Sequence, residues 1–416
     1  MRKFAAFALA IASFATIPPA TAESLLVPAD KIYISPEAPP LLNGGVLVRD
    51  GRIAKVIGER ARREIPAETF ASECRGVVVA GFQNSHVHFI EPRFADAANK
   101  PATDLEKALA DMLISRGFTT VFDVASDESN TLALRARVDK GELRGPRIFT
   151  VGLPLFPPDG IPSYINDLPP DVLARMHQPG TPQEARAAVR SNLRAGADGT
   201  KLFLHTSPRQ GVVTKMSAEI ARAAVAETHA QGKLVFAHPT TLEAVRLATD
   251  VGVDVLVHTT LGEQQPWDAA TLARMKKQNM AVIPTFKLWL YELAKEQVPQ
   301  PVVDSLVGAT FDELRAFRGV QGQVLFGTDV GYMHEDDPTA EYELMARSGM
   351  SPAQILASLT TAPAARFKEQ KSHGKIAPGF AADLVVLGGD PFGDVKQFAN
   401  VKCVFRDGAL IYSKGQ

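Results

Sequence analysis

Cysteine is almost missing from this chain: there are two, Cys74 and Cys403, in 416 residues. That excludes a small disulfide-built scaffold and a cysteine metal cluster, because two distant thiols cannot hold an ion by themselves. A surplus of either charge is also missing. Lysine and arginine number 45 against 46 acidic residues, a net charge of -1, so no basic surface for nucleic acid is expected. Past the first twenty or so residues no apolar run is long enough for a membrane helix. There is no glycine-rich dinucleotide fingerprint either, which leaves a nucleotide-binding open sheet without its signature.

The N-terminus has a pattern of its own. Arg2 and Lys3 are followed by a nearly unbroken apolar stretch over 4–17, and Ala20-Thr21-Ala22 offers a small-x-small cleavage site. This is the three-part form of a secretory signal peptide over residues 1–22. A membrane anchor is the alternative, but the apolar part falls short of the roughly 20 residues needed to span a bilayer. Export is expected, to a bacterial periplasm, with no membrane attachment after cleavage.

Residues 23–80 read as short strands with a turn at Arg49-Asp50-Gly51-Arg52, and residues 375–416 return to that pattern with a matching turn at Arg406-Asp407-Gly408. Between them, over 81–374, apolar strand-like runs alternate with amphipathic helices. The runs lie at 78–82, 119–124, 147–151, 200–204, 234–237, 255–257, 281–284 and 324–327. Helical patterns lie at 104–116, 182–195, 217–231, 242–251, 269–278 and 352–368, with Thr181, Ser217 and Thr241 as caps. Such alternation predicts a parallel sheet, and eight repeats predict an α/β fold of the (β/α)8 TIM-barrel type. Both chain ends together are expected to form a small β-sandwich. Cys74 and Cys403 would share it, either paired or as two buried thiols.

In a barrel of this type the reactive groups stand at the C-terminal ends of the strands. His86 and His88 follow the run 78–82, and side chains two apart on a strand share a face, so both imidazoles aim at one spot. Lys201 lies inside the fourth run. His238, His258 and Asp329 follow the fifth, sixth and eighth. Each has a plain reading as a loop histidine, a paired lysine or a helix cap. A lysine in an apolar strand is nevertheless costly to bury charged and unpaired. Four histidines and an aspartate at strand exits, out of nine histidines in all, point to a metal site.

These stretches carry a family likeness: GFQNSHVHF at the first strand, GADGTKLF at the fourth, VFAHPTTLEAVRLATDVGVDVLVHTT across the fifth and sixth, LFGTDVG at the eighth, and the tail LTTAPAARF with GKIAPGFAADLVVLGGDP. The chain resembles the amidohydrolase superfamily, near its imidazolonepropionase-like and metal-dependent dipeptidase branch, over essentially its whole length after residue 22. The resemblance implies two divalent metal ions, most often zinc. His86, His88 and Asp329 would bind one, and His238 and His258 the other. Lys201, carboxylated by CO2, would bridge them. It also implies a hydroxide nucleophile between the ions and Asp329 as the catalytic proton acceptor.

Two positions depart from the family pattern. Asn84 stands where an aspartate is usual, and Thr259-Thr260 stand where a glycine is more common. Deaminases of the superfamily lack the lysine and carry a glutamate three residues after the fifth-strand histidine. Here that position is Thr241 and Lys201 is present, which favours hydrolysis over deamination. Candidate substrate contacts are His205, which shares the parity of Lys201, Tyr164 in the loop 153–170, and Tyr332 and His334 after the eighth strand. A plain loop role is the alternative for each. His229, near a helix C-terminus, reads as structural, and His177 and His373 as surface residues.

The expected function is therefore a secreted binuclear metal-dependent hydrolase of a peptide or other carboxamide bond, of dipeptide or N-acyl amino acid type. A lactone, ester or phosphotriester hydrolase at the same site is the nearer alternative, and a non-catalytic binding protein on the same barrel the farther one. A small molecule is the expected partner; a homo-oligomer is left open.

Overall fold

The computed structural model describes residues 24–59, 69–165, 168, 170–263 and 266–415. The predicted signal peptide, 1–22, lies outside them. Among the described residues no helix is long and apolar enough to cross a membrane.

The main body is a TIM-barrel-like α/β arrangement of parallel strands. One sheet holds Phe82–Val87, Phe118–Asp123 and Arg147–Thr150, in chain order; the other holds Gly199–Phe203, Leu234–His238, Val255–Val257, Ala281–Ile283 and Gln323–Val324, also in chain order. Backbone hydrogen bonds join the two sheets at both edges. Asp198 donates to the Thr150 carbonyl (2.6 Å) and Leu155 to the Lys201 carbonyl (2.9 Å), while Ser85 donates to Phe326 and His88 to Val330 (both 2.8 Å). Every residue of Phe82–Val87, Phe118–Asp123 and Gly199–Phe203 is buried. Burial of both faces is what parallel strands covered by helices require, and it explains why these strands read as unbroken runs rather than as alternation.

The expected caps are in place. Thr181 forms a capping box with Glu184 at the start of Pro182–Ala195, Ser217 caps Ala218–Ala230, and Thr241 caps Leu242–Val251. Three boundaries differ from expectation. The apolar run before Gly81 is not the first barrel strand. Gly76–Ala80 pairs parallel with Ser24–Ile32 and antiparallel with Leu384–Leu387, and so belongs to the smaller sheet. The barrel strand is the next one, Phe82–Val87, and carries His86 within it. At the eighth strand, only Gln323–Val324 pairs regularly. Beyond it, Phe326 donates to Ser358, and Gly327 presses so close that a Cβ there would lie 2.8 Å from the His86 Cβ. The single helix expected over 352–368 is two, Pro352–Leu359 and Thr361–Arg366, because Thr360 at φ -135° leaves the helical region.

In the smaller unit, residues from strands of both chain ends, among them Val46, Val78, Leu384 and Phe405, close on one apolar core. Strands from both chain ends form one continuous eight-stranded sheet, because Gly76–Ala80 has a neighbour from each end and stitches them together. A disulfide joins Cys74 to Cys403 within its apolar core.

Candidate metal centre

Six side chains converge where the barrel strands end. His86 stands next to the end of its strand with its imidazole buried, and His88 follows two residues later on the same face. Their Nε2 atoms lie 3.0 Å apart. The Asp329 Oδ1 sits 3.1 Å from the first and 2.9 Å from the second, so these three residues could hold one metal ion. His258 adds its Nε2 3.9 Å from the Asp329 Oδ2. His238 packs edge-on to His258 with ring centroids 4.7 Å apart and stacks on Phe203. Lys201, 1% exposed, lines the same space, its Nζ 5.2 Å from the centre of the Phe203 ring. Among the described residues it makes no ion pair.

Hydrogen bonds on the far side of the rings fix two tautomers. The His88 Nδ1 faces the Ala125 carbonyl at 2.7 Å and must donate to it. Thr285 donates its hydroxyl to the Pro284 carbonyl (2.8 Å), so it accepts from the His258 Nδ1 at 2.5 Å. In both rings Nδ1 is thereby committed and Nε2 is the nitrogen turned toward the centre, the atom available to an ion there. Asn84 acts beside them. Its Oδ1 accepts from the backbone N–H of His86 (3.1 Å) and of Thr328 (3.3 Å), and its Nδ2 donates to the Thr328 hydroxyl (2.8 Å). It ties the first strand to the turn that presents Asp329.

The backbone here is held in a sparsely populated conformation. His258 and Asp329 have φ of 78° and 61°, and Thr285 has 47°. Non-glycine residues occupy this left-handed region at a cost of order 1–3 kcal/mol, and such strain concentrates where side-chain direction matters.

Charge at the centre follows from burial. Desolvation lowers His86 to about 4 and His238 to about 3, and carries His258 well below its usual value. Burial lowers Lys201 to about 7, with Asp329 as the counteracting charge. Burial works to raise Asp329, but His86 and His88 outweigh it and hold the carboxyl well below the usual range. The site thus sets a carboxylate beside three histidines, His86, His238 and His258, whose burial favours the neutral ring, and a lysine that loses its proton easily.

The six residues form the floor of a cavity of about 380 Å³. Phe89, Ile90, Phe156, Val172, Leu288 and Trp289 supply apolar wall, and Tyr164 and Tyr332 line it with their rings 5.3 Å apart. The other two substrate-contact candidates are elsewhere. His205 does not line the cavity. The strand ends at Phe203 and the chain enters the hairpin His205–Arg209 and Val212–Lys215, so the parity with Lys201 is lost and the ring meets the Thr241 hydroxyl at 2.9 Å. His334 is exposed outside the cavity. His229 pairs with Asp254 at 2.8 Å. His373 is not a surface residue: it is largely buried against Arg147, and desolvation lowers it to about 4. His177 is half-buried and bonds Asn192.

Some contributors have no sequence signal. The Ala125 carbonyl is backbone, and Thr285 is an ordinary residue type. Trp289 and Glu292 come from the helix Phe286–Lys295 after the seventh strand; the strand-exit rule that found the ligands reaches Thr285 if hydroxyls are admitted to it.

The amidohydrolase family profile matches residues 77–411. The chain belongs to the amidohydrolase family. Members of it generally use metal ions, and the His86, His88 and Asp329 group is compatible with one. Ochratoxinase of Aspergillus niger is 22% identical over an alignment covering 91% of this chain and 83% of its own. Among solved structures, a Xaa-Pro dipeptidase with methionine bound in its active site superposes with a TM-score of 0.77 at 23% identity, covering 94% of this chain and all of its own. A prolidase in complex with N-methylphosphonate-L-proline gives a TM-score of 0.75 at 25% identity, with coverages of 94% and 100%. This amidohydrolase is a hydrolase acting on C–N bonds of small-molecule substrates.

Proposed function

We propose that this amidohydrolase is a binuclear metal-dependent hydrolase that cleaves a peptide or other carboxamide bond at the mouth of a closed (β/α)8 barrel. The observation that carries the reading is the donor set: two imidazole Nε2 atoms and a carboxylate oxygen within 3.1 Å of one another, with a buried lysine and two more neutral histidines around them. His86, His88 and Asp329 would hold one divalent ion, most often zinc in such ligand sets, and His238 and His258 the other. Lys201 would bridge them as a carbamate. Its depressed pKa supports this, because the neutral amine is the form that adds CO2. Divalent ions there would activate water and polarise the scissile carbonyl. The chain supplies the rest. Asp329, kept ionised by His86 and His88, takes a proton from the attacking water and passes it to the leaving nitrogen, giving an acid and an amine. Apolar walls exclude bulk water, and Tyr164 and Tyr332 bound the substrate space. The relatives named ochratoxinase, prolidase and Xaa-Pro dipeptidase support an amide-type bond. We further propose export to a periplasm, supported by the 1–22 pattern and by a disulfide, which an oxidising compartment would preserve.

Elemental analysis of protein grown with zinc tests the reading: close to two ions per chain are expected, and stripping them should abolish amide hydrolysis until they are restored. A protein that takes up no metal and still hydrolyses amides would overturn it. Lys201→Ala should lose much of the metal; unchanged content would remove the bridging role. Asp329→Asn is expected to remain folded by circular dichroism while turnover falls by at least about 100-fold.

A further inference from the structure

Resting on that reading, we propose that the cavity selects uncharged carboxamides bearing an aryl or bulky apolar group, and discriminates against substrates whose leaving amino acid ends in a free carboxylate. Among the described residues lining the cavity, Lys201 is the single lysine or arginine, and it belongs to the floor. The other charged wall residues are acids: Glu91, Asp96, Asp127 and Glu292, on its more exposed part.

Cations do lie nearby, but each is already committed and none lines the cavity. Arg93 is held between Glu91 (2.7 Å) and Asp336 (2.6 Å). Arg175 reaches Asp127 at 2.5 Å. Lys295 pairs with Glu292 at 2.7 Å, and Glu292 also accepts the Tyr332 hydroxyl at 2.9 Å. Away from the ions that the floor would hold, a carboxylate in the upper part of this space would lose water, find no uncommitted cation among the described residues, and meet Asp96 together with acids already paired to their own cations, an unfavourable arrangement of the kind that sets specificity. A neutral amide avoids both costs. Its aryl or branched group meets Phe89, Phe156, Leu288 and Trp289, and its polar atoms can bond Tyr332.

Matched pairs sharing one scissile bond test this: a dipeptide of apolar residues against its C-terminal amide, and an N-acyl anilide against its ring-carboxylated form. On zinc-loaded enzyme, kcat/KM for the neutral member should exceed that for the acid by at least about tenfold, equivalent to about 1.4 kcal/mol. Calorimetry with metal-stripped protein gives a readout independent of turnover, and the neutral member should again bind more tightly. Equal or better use of the acids, in hydrolysis or in binding, overturns the inference. Hydrolysis of neither member would count against the amide-hydrolase reading instead, and the binding ratio alone would then decide this one. In Glu292→Gln, which removes one acid and releases Lys295, the neutral-to-acid ratio should fall; an unchanged ratio overturns the electrostatic basis.

Discussion

Thr285 illustrates how much of the centre depends on groups that cannot themselves be ligands. Its hydroxyl points its own proton at Pro284 and receives that of the His258 Nδ1, so Thr285→Val should leave His258 free to take the wrong tautomer. Metal affinity, read by chelator competition, is expected to fall about 10–100-fold, as for other losses of a ligand's supporting hydrogen bond, with circular dichroism unchanged. Residues of this kind were not legible in the sequence. His86, His88, Lys201, His238, His258 and Asp329 stand out because such groups are rare at the ends of apolar strands. A threonine after a proline, or the carbonyl of Ala125, carries no such mark. Parity failed for His205 because it assumes that the strand continues, and the chain turns into a hairpin one residue earlier.

At the scale of elements, the helix Phe286–Lys295 places Leu288, Trp289 and Glu292 on the cavity wall, and its start is secured from a distance. Thr285 makes no side-chain cap. Instead the buried Glu341, in the helix Thr339–Arg347, accepts from the backbone N–H of Phe286 (3.1 Å) and Lys287 (2.7 Å). Glu341→Ala should lower the free energy of urea unfolding by about 1–3 kcal/mol, the cost of stranding buried donors. A second buried acid, Glu313 in the helix Gln300–Gly319, accepts from the Thr260 N–H at 2.8 Å and from its hydroxyl, and burial raises it to about 8. Its folded value lies above the ordinary glutamate value of 4.5. Its contribution to stability is therefore complete below that pH and lost as pH rises through 8. Glu313→Gln, which keeps an acceptor but cannot ionise, should flatten that part of the loss; urea midpoints compared at pH 5 and pH 9 would reveal it. Element type was largely legible, since buried parallel strands and capped helices leave strong local patterns. The first barrel strand was misplaced because two consecutive buried strands, Gly76–Ala80 and Phe82–Val87, are separated only by Gly81, and hydropathy cannot divide one apolar run between two sheets.

The whole molecule is tied at its ends. The disulfide spans 329 residues of sequence, and a cross-link closing so long a loop restricts the unfolded chain strongly. Cys403→Ser is expected to cost about 2–5 kcal/mol in denaturant unfolding. The order of pairing was not legible: the matching turns at Asp50-Gly51 and Asp407-Gly408 pointed to one shared unit, but which strands neighbour which depends on partners that lie far apart in sequence. That pairing also sets a schedule. Gly76–Ala80 pairs along one edge with Leu384–Leu387, a strand made roughly 300 residues later; at about 5–20 residues per second the first half of the sheet waits tens of seconds with an apolar edge open. The strand just before the one that carries His86 therefore acquires its last neighbour only near the end of synthesis, and any factor that guards a nascent chain would find its longest task there.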